Sequence, residues 1–399
     1  MWRDKGKTFG KMSTRAVHAG EGRLKYADSL TTPIVQTSTF TFKDSKEIEA
    51  YTKDKKERFE YGRYGNPTEK IAERRLANLE GAEDCIVFSS GMMAIITTIL
   101  SLVHSGDHII MTDDCYKKTL EFCNRYLRRF GIECTIVPFG DYEVLEKAVK
   151  ENTRFIFSES PTNPYLNVFD LVQFRNICRK HNLISIIDST FATPYNQRPI
   201  EFGIDLVIQS ATKYLAGHND ILAGAVLGSK EQLDKIRALH KSMGGLIDPH
   251  CCYLLLRGLK TFPLRVRHQN ESTLKIAEYL ESHSLIQKVY YPFLKSHRHY
   301  SIATSQMTGG GGVVSFDIKG DLDTAKHFMD ALEMIYIAPS LGGVESLITH
   351  PAIVSYYDYT REERYELGIT DTLFRLAVGI EDTDDIIQDL ENALSKAKI

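Results

Sequence analysis

The feature that most constrains this fold is an alternation of short apolar runs with longer helix-like segments along the middle of the chain. In order, the apolar runs read CIVFSS, DHIIMT, CTIVPF, RFIFSES, LISIIDST, DLVIQS and LAGAVLGS. Runs of this kind are typical of strands that are buried on both faces of a parallel sheet. With helix-like segments between them, they predict an α/β fold with a mostly parallel sheet covered by helices on both faces.

The character of the sequence changes on both sides of this region. Residues 1–63 are rich in Thr, Ser, Lys and Glu with weak periodicity, so we expect an extended N-terminal arm there. From about Gly258, long helical segments accompany the run GGGGVVSFDIK, which indicates a smaller α+β C-terminal domain over residues 258–399. A large domain is therefore expected over residues 64–257.

Composition excludes several classes of protein. With 399 residues, 43% of them hydrophobic, the chain can bury a sizeable core. A formal net charge of -3 provides no broad field for nucleic acid or for a membrane surface. Seven scattered cysteines without a C-x-x-C pair favour a reducing compartment. The N-terminus lacks an apolar core of signal-peptide length, and MMAIITTILSLV is too short to span a bilayer, so we expect a cytoplasmic protein.

Chemically active side chains follow five of the predicted strands. A lone lysine after a strand is ordinarily a solvated surface residue, and Lys213 in SATKYLAGHND gains significance only from its neighbours. Because the carboxyl ends of parallel strands meet at one edge of a sheet, these five loops are expected to converge on a ligand site. They contribute Ser90 and Gly91, residues 113–116, residues 159–163, Asp188, and Lys213.

The residues at this edge match the chemistry of pyridoxal 5'-phosphate. SSGMMA joins a strand to a helix, so its backbone N–H groups and the hydroxyl of Ser90 can hold a phosphate; with one glycine, it is not a Walker loop. Asp188 closes an apolar strand and can pair with a protonated ring nitrogen. Lys213 can form a Schiff base with the aldehyde, and Tyr116 offers an aromatic face for stacking. Together they predict a pyridoxal-phosphate site.

Long motifs along nearly the whole chain resemble the Cys/Met-metabolism family of pyridoxal-phosphate enzymes. The motifs are STRAVHAGE, YGRYGNPT, SSGMMA, ESPTNP, the stretch from DSTFATPYNQRP to SATKYLAGHND, RGLKT, SLGGVESLITHPA and FRLAVGIED. The resemblance implies the fold-type I architecture of aspartate aminotransferase, with the cofactor bound by the large domain. It also implies that Lys213 is the cofactor lysine, that Asp188 meets the ring nitrogen and that Tyr116 stacks on the ring.

The same resemblance assigns further roles. The phosphate would be surrounded by Ser90, Gly91, Met92, Ser210 and Thr212. Tyr61 and Arg63 of YGRYGNPT would reach the phosphate of a neighbouring subunit, which implies a homodimer with shared sites, commonly paired into a homotetramer. The α-carboxylate of an amino-acid substrate would be held by Asn163, Ser340 and Arg375.

Details near the expected substrate resemble the plant-type γ-synthases of this family. Pro339 stands where many bacterial γ-synthases and the γ-lyases of the family carry glutamate, and Lys118 of DCYKKT matches a lysine that binds the phosphate of the substrate. The resemblance implies γ-replacement on an O-phospho- or O-acyl-L-homoserine by L-cysteine, giving L-cystathionine. A γ-lyase acting on methionine or cystathionine, a homoserine sulfhydrylase and a catalytically silent scaffold are the alternatives.

Two further motifs are interpreted structurally. The four glycines at 309–312 precede a strand instead of joining a strand to a helix, so they indicate close backbone packing and not a phosphate loop. The motif SHRHY at 296–300 has no accompanying carboxylate or cysteine, so we interpret it as a solvated loop, and we expect no metal site.

Overall fold

The computed structural model describes residues 10–54 and 58–397. Within these ranges, a seven-stranded sheet forms the large domain, in the order β1-β7-β6-β5-β4-β2-β3. β7 runs antiparallel to β1 and β6, and the other neighbours are parallel. Its strands are β1 (Asp84–Phe88), β2 (His108–Thr112), β3 (Glu133–Val137), β4 (Thr153–Glu159), β5 (Ile184–Asp188), β6 (Leu206–Gln209) and β7 (Gly224–Gly228).

Each of the seven predicted apolar runs overlaps one of these strands to within one residue, and helices cover both faces of the sheet. Alternate residues of one strand enter different cores: Ile86 and Phe88 of β1 pack on one face, and Cys85 and Val87 on the other. The predicted α/β fold, with a mostly parallel sheet and a smaller second sheet, is therefore confirmed.

The α-helices of the described residues vary widely in length, and the longest, α10, contains Pro263. In chain order they are α1 (Met12–His18), α2 (Ser45–Asp54), α3 (Pro67–Glu80), α4 (Gly91–Leu102), α5 (Lys117–Glu121), α6 (Tyr142–Lys147), α7 (Leu171–Lys180), α8 (Thr193–Asn196), α9 (Lys230–Met243), α10 (Pro249–Ser282), α11 (Tyr300–Gln306), α12 (Leu322–Asp330), α13 (Pro351–Val354), α14 (Arg361–Glu366) and α15 (Thr383–Lys396). No helix of the described residues is both long enough and apolar enough to cross a membrane.

The second sheet lies in the C-terminal part of the chain and has the order β10-β11-β12-β9-β8. β10 and β11 are parallel, and the other pairs are antiparallel. These strands are β8 (Ile286–Tyr290), β9 (Val313–Ile318), β10 (Tyr336–Ile337), β11 (Leu347–Thr349) and β12 (Leu373–Ala377). Arg375 lies on β12 and is the charged residue of this otherwise apolar strand.

α10 runs past the loop that carries Lys213 and braces it. Arg265 of α10 donates hydrogen bonds to Tyr214 O at 2.8 Å and to Gly258 O at 3.0 Å. Arg265 is buried, so its donors must be paired, and the bond to Tyr214 O fixes the loop to the helix, whereas Gly258 lies on α10 itself. The loop that carries Lys213 is therefore held by contacts within the chain itself.

The N-terminal segment differs from the expected extended arm. α1 and α2 lie within it, and α1 packs against α3 and α10, with Ala16 fully buried. A short amphipathic stretch becomes helical here because α3 and α10 offer an apolar surface, which the sequence of the segment alone does not reveal. Residues 1–9 and 55–57 of the predicted arm lie outside the described residues, and the three domain bounds stay a prediction.

The structure can be compared with the predictions for the glycine run at 309–312 and for SHRHY at 296–300. A Cβ added to Gly310 would lie 2.4 Å from Cζ of Tyr291, so close packing of the glycine run is confirmed. The solvated loop predicted for SHRHY is only partly right: Ser296 and Arg298 are exposed, but His297 is buried and Arg298 Nε donates to Asn167 Oδ1 at 2.9 Å. These polar side chains are satisfied by the loop after β4, a tertiary contact that local polarity does not disclose.

Candidate active site

A cavity of about 870 Å³ opens at the carboxyl ends of β1, β2, β4, β5 and β6. Loops of the C-terminal part close its other side, so the wall contains residues near both sheets. It is lined by Ser90, Gly91, Met92, Ile95, Tyr116, Glu159, Asn163, Asp188, Thr190, Phe191, Ser210, Thr212, Lys213, Asn219, Asp220, Ile221, Leu222, Ala338, Pro339, Ser340, Leu341, Leu347, Thr349, Ser355 and Arg375. Its size is suited to a cofactor together with a small substrate.

Lys213 follows β6 and lies in the cavity wall. Its Nζ donates a hydrogen bond to Ser340 Oγ at 2.7 Å. Burial and, secondarily, the positive charge of Arg375 lower the pKa of Lys213 to about 8. Both effects disfavour the charged ammonium form, so a usable fraction of neutral amine exists near neutral pH. A neutral amine is the form that can act as a nucleophile or accept a proton.

Asp188 ends β5 and is held by the turn that follows it. Its Oδ1 accepts hydrogen bonds from Thr190 N at 3.0 Å and from Thr190 Oγ1 at 2.6 Å. Burial raises the pKa of Asp188 to about 6, and the two bonds from Thr190 oppose that rise. Thr190 Oγ1 also accepts from Ser210 N at 2.8 Å, which ties the end of β5 to the end of β6. A buried carboxyl oriented in this way is suited to pair with a cationic ring nitrogen.

The N-terminus of α4 provides an anion-binding site at the same edge. Ser90 caps the helix and accepts a hydrogen bond from Met93 N at 3.1 Å. A Cβ at Gly91 would lie 3.0 Å from Cβ of Ser210, so only glycine lets the two loops approach this closely. Thr212 lies two residues beyond Ser210 and also lines the cavity. Backbone N–H groups, the helix dipole and hydroxyls thus converge where a phosphate could bind.

Arg375 forms the opposite wall. Its Nη1 donates to Asn163 Oδ1 at 3.0 Å, and its Nη2 donates to Ser340 O at 2.8 Å. Its Nε is buried and has no hydrogen-bond partner among the described residues. Burial lowers the pKa of Arg375 to about 10, which leaves it charged at neutral pH. A charged guanidinium with an unused donor at a cavity wall is suited to bind a carboxylate.

The structure separates the expected site residues into two sets. The cavity brings together Ser90, Gly91, Met92, Tyr116, Asn163, Asp188, Ser210, Thr212, Lys213, Ser340 and Arg375. Lys118, Tyr61 and Arg63 do not line the cavity of this chain. Lys118 is exposed and binds Glu121 Oε2 at 2.7 Å, and Arg63 donates to Lys241 O.

Thr190 and Glu159 are among the cavity residues for which the sequence predicted no role. Thr190 holds Asp188 and links it to Ser210, and the short motif DST is the signal that could have pointed to it. Glu159 ends β4 beside Asp188, with which it pairs in the sheet, and its Oε2 accepts a hydrogen bond from Tyr116 N at 2.9 Å. An acidic residue at the end of an apolar strand is the same signal that drew attention to Asp188.

The residues present fit pyridoxal phosphate. The N-terminus of α4 can hold the phosphate, Asp188 can face the ring nitrogen, Lys213 can reach the aldehyde carbon, and the ring of Tyr116 lines the same cavity. The unpaired, buried Nε of Arg375 remains available for a substrate carboxylate. Fold and site together therefore define a pyridoxal-phosphate-dependent enzyme that acts on an amino acid.

Comparison with known proteins identifies the family. The family model described as Cys/Met metabolism PLP-dependent enzyme matches residues 13–395, so the chain belongs to this family, and its cofactor is pyridoxal phosphate. Chloroplastic cystathionine γ-synthase 1 of Arabidopsis thaliana is 47% identical over 95% of this chain and 68% of that protein. L-methionine γ-lyase of Fusobacterium nucleatum subsp. nucleatum is 40% identical over 96% of this chain and 98% of that protein.

A solved structure shares the whole fold. The crystal structure of cystathionine γ-lyase from Lactobacillus plantarum, complexed with L-serine, superposes with a TM-score of 0.90 at 36% sequence identity. The match covers 98% of this chain and 100% of the other. Synthases and lyases are thus both close relatives, and the shared fold does not distinguish their reactions.

Proposed function

We propose that the protein is a cystathionine γ-synthase, which joins L-cysteine to an O-phospho- or O-acyl-L-homoserine and releases the ester group. The observation that carries the proposal is its 47% identity to a plant cystathionine γ-synthase, against 40% to a methionine γ-lyase over a similar share of the chain. Pro339 lies in the cavity wall beside Ser340, where many bacterial γ-synthases and the γ-lyases carry glutamate, and this uncharged residue favours a synthase of the plant type.

In this reaction the cofactor stabilises charge on the substrate, and residues of this chain transfer protons. When bound, pyridoxal phosphate supplies an electron sink for the electron pair left at Cα of the amino acid. Lys213 is the group that removes the Cα proton and redistributes protons afterwards, because its amine has a pKa of about 8 and lies in the cavity. Asp188 supplies the negative charge that keeps the ring nitrogen protonated.

Arg375 and its neighbours orient the substrate. The guanidinium, fixed by Asn163 and by the carbonyl of Ser340, binds the α-carboxylate and so sets the position of Cα relative to Lys213. The γ-substituent then leaves as an anion, and the thiolate sulfur of cysteine forms the new bond at Cγ. Lys118 is proposed to attract a phosphate leaving group toward its side of the cavity mouth, after releasing Glu121.

The functional unit is proposed to be a homodimer with shared sites, paired into a homotetramer. Tyr61 and Arg63 lie outside the cavity of their own chain, and Tyr61 is 41% exposed, which leaves it available to a neighbouring subunit. Each chain would therefore complete the phosphate site of its partner. The unpaired cysteines among the described residues support a reducing compartment, and we propose the cytoplasm.

Product analysis tests this function. The purified enzyme is incubated with O-phospho-, O-succinyl- and O-acetyl-L-homoserine, each with and without L-cysteine, and the products are identified by mass spectrometry. Cystathionine formed fastest from one ester in the presence of cysteine supports the proposal. Formation of 2-oxobutanoate at the same rate in every mixture, with no cystathionine, would refute it.

A γ-lyase is the second candidate. It is favoured by the fold shared over the full chain with a cystathionine γ-lyase and by the methionine γ-lyase relative. L-Methionine and L-cystathionine are therefore included as single substrates in the same assay. Release of methanethiol or cysteine with 2-oxobutanoate, faster than any γ-replacement, would establish the lyase in place of the synthase.

A further inference from the structure

Three carboxyl groups stand in a row at the carboxyl edge of the large sheet. Asp114 follows β2, Glu159 ends β4 and Asp188 ends β5, and these three strands are consecutive neighbours. Glu159 and Asp188 are 5% and 8% exposed, and they are paired in the register of β4 and β5. Carboxylates this close and this buried cannot all carry a negative charge at low cost.

Hydrogen-bond donors are distributed unequally along the row. Asp188 receives both of its bonds from Thr190, and Asp114 Oδ2 receives bonds of 2.6 Å from Thr162 Oγ1 and from Asn167 Nδ2. Within the part of the chain that the structure describes, Glu159 receives one bond, from a backbone N–H. Donors stabilise the charged form, so Glu159 is the member on which a proton is bound most readily.

The pKa values of the three carboxyl groups also indicate that Glu159 holds the proton. Burial, and next the neighbouring Asp188, raise the pKa of Glu159 well above its usual value. The pKa of Asp188 is raised to about 6, and that of Asp114 also to about 6, in both cases chiefly by burial. The ionisable groups that influence Glu159 or respond to its charge are Asp188 on β5, Asp114 and Cys115 after β2, Tyr356 after α13 and Arg375 on β12.

Glu159 acts on the cavity through Tyr116. The backbone N–H of Tyr116 donates to Glu159 Oε2 at 2.9 Å. The carbonyl of Tyr116 accepts from Thr119 N at 2.8 Å and Leu120 N at 3.1 Å, at the start of α5. The backbone is thus fixed from both sides, while the side chain of Tyr116 is 46% exposed and lines the cavity. The position of the ring therefore depends on how its backbone is held.

We propose that Glu159 is a positioning residue, a neutral carboxylic acid that holds Tyr116 in place over the cofactor ring and leaves Asp188 as the anion that faces the ring nitrogen. The inference rests on the proposed roles of Tyr116 and Asp188, but not on the leaving group or on the nucleophile. A charged Glu159 would compete with Asp188 for the ring's positive charge. A neutral one accepts the Tyr116 bond without doing so.

Two variants separate the parts of this proposal. Glu159→Gln keeps a neutral oxygen acceptor of the same shape, whereas Glu159→Leu removes the acceptor. Affinity for pyridoxal phosphate is measured on the apoenzyme by equilibrium dialysis, and the visible circular dichroism of the bound cofactor reports its placement. We expect Gln to match the wild type across the neutral pH range, and Leu to lose about tenfold or more in affinity with an altered dichroism band.

Matched controls come from Glu80, which is fully buried and lies outside the cavity lining. Glu80→Gln and Glu80→Leu report the general effect of changing a buried carboxyl, and we expect neither to alter the dichroism of the bound cofactor. Tyr116→Ala tests the premise: unchanged cofactor affinity in that variant would remove the stacking role on which the inference rests. No substrate is present in these measurements, so their outcome is separate from that of the product assay.

Two results would overturn the proposal. If Glu159→Gln loses as much affinity as Glu159→Leu, the residue acts as a charged carboxylate and is not neutral. If Glu159→Leu binds the cofactor as the wild type does, with the same dichroism, Glu159 positions nothing. Should Glu159→Leu not fold, as judged by far-ultraviolet dichroism, Glu159→Gln decides alone: wild-type affinity supports the proposal, and a loss refutes it.

Discussion

Lys213 Nζ donates a hydrogen bond of 2.7 Å to Ser340 Oγ, and this contact links the loop after β6 to the loop between β10 and β11. The backbone carbonyl of the same serine accepts from Arg375 Nη2 at 2.8 Å. Ser340 has a φ of 100°, a conformation that is costly for a residue with a side chain. One strained residue therefore contacts both the amine that handles protons and the guanidinium that binds the substrate.

Ser340→Ala is expected to separate these two contacts. The change removes the hydroxyl that orients Lys213 but keeps the carbonyl that binds Arg375. We therefore expect kcat to fall about tenfold while KM for the amino-acid substrate changes little. Steady-state kinetics on enzyme saturated with cofactor provide the measurement. Ser355→Ala, at another serine of the cavity wall, is the control, and a rise in KM at unchanged kcat for Ser340→Ala would contradict the expectation.

Removal of the positive charge of Arg375 is expected to shift the pH dependence of Lys213. Burial and, secondarily, the positive charge of Arg375 together lower the pKa of Lys213 to about 8, so the amine is mainly protonated below that pH and mainly neutral above it. The apoenzyme should capture pyridoxal phosphate faster as the pH rises through about 8, because only the neutral amine is nucleophilic. In Arg375→Leu the midpoint should move to higher pH, since a charge that disfavours the ammonium form has been removed.

Stopped-flow absorbance of cofactor capture by the apoenzyme over a pH series gives this midpoint. Arg364→Leu is the control, because Arg364 is also buried but pairs with Asp371 away from the cavity. It should leave the midpoint in place even if it lowers stability. A midpoint that stays the same or moves to lower pH in Arg375→Leu would show that the two charges are not coupled as the geometry indicates.

Local sequence patterns predicted the positions of the strands better than their order and direction in the sheet. Each strand of the large sheet coincides with a predicted apolar run to within one residue, because burial on both faces imposes a local composition. The antiparallel direction of β7 and the neighbouring positions of β4 and β5 depend on tertiary packing instead. The pairing of Glu159 with Asp188 follows from that order, so the sequence could identify Asp188 but not its relation to Glu159.

In the candidate site, too, local sequence patterns identified some residues, whereas others depend on tertiary contacts. Lys213, Asp188 and Gly91 could be identified because each follows an apolar strand, and all three line one cavity. The brace that Arg265 provides to the loop carrying Lys213 could not be identified, because it comes from a helix distant in sequence. Lys118 was expected to contact the substrate because of the motif DCYKKT. In this structure its side chain binds Glu121 instead.

Lys118→Met tests the proposed preference for a phosphate leaving group. A lysine that binds a dianionic phosphate should matter for O-phospho-L-homoserine and much less for the uncharged O-acetyl ester. We expect kcat/KM for the phosphate ester to fall about tenfold to a hundredfold, with little change for the acetyl ester. Glu121→Gln, which removes the carboxylate that binds Lys118, should leave the preference intact or increase it. An equal loss for both esters would argue against a role in recognising the leaving group.

Shared sites predict that two inactive variants restore each other. Lys213→Ala removes the working amine, and Arg63→Ala removes the arginine that is proposed to reach the partner's phosphate. In a mixed dimer, one site would carry both changes and the other neither. Unfolding and refolding an equal mixture should therefore recover about a quarter of the wild-type activity per site, as expected for random pairing.

The variants refolded separately are the controls, and we expect little activity from either of them. Light scattering reports the oligomeric state of each sample, so a failure to associate can be distinguished from a failure to complement. If Arg63 served the site of its own chain, no mixed dimer would contain an intact site, and the mixture would show no more than the average of its two components. Recovery above that average therefore requires that Arg63 act across the subunit interface, since Arg63 does not line the cavity of its own chain.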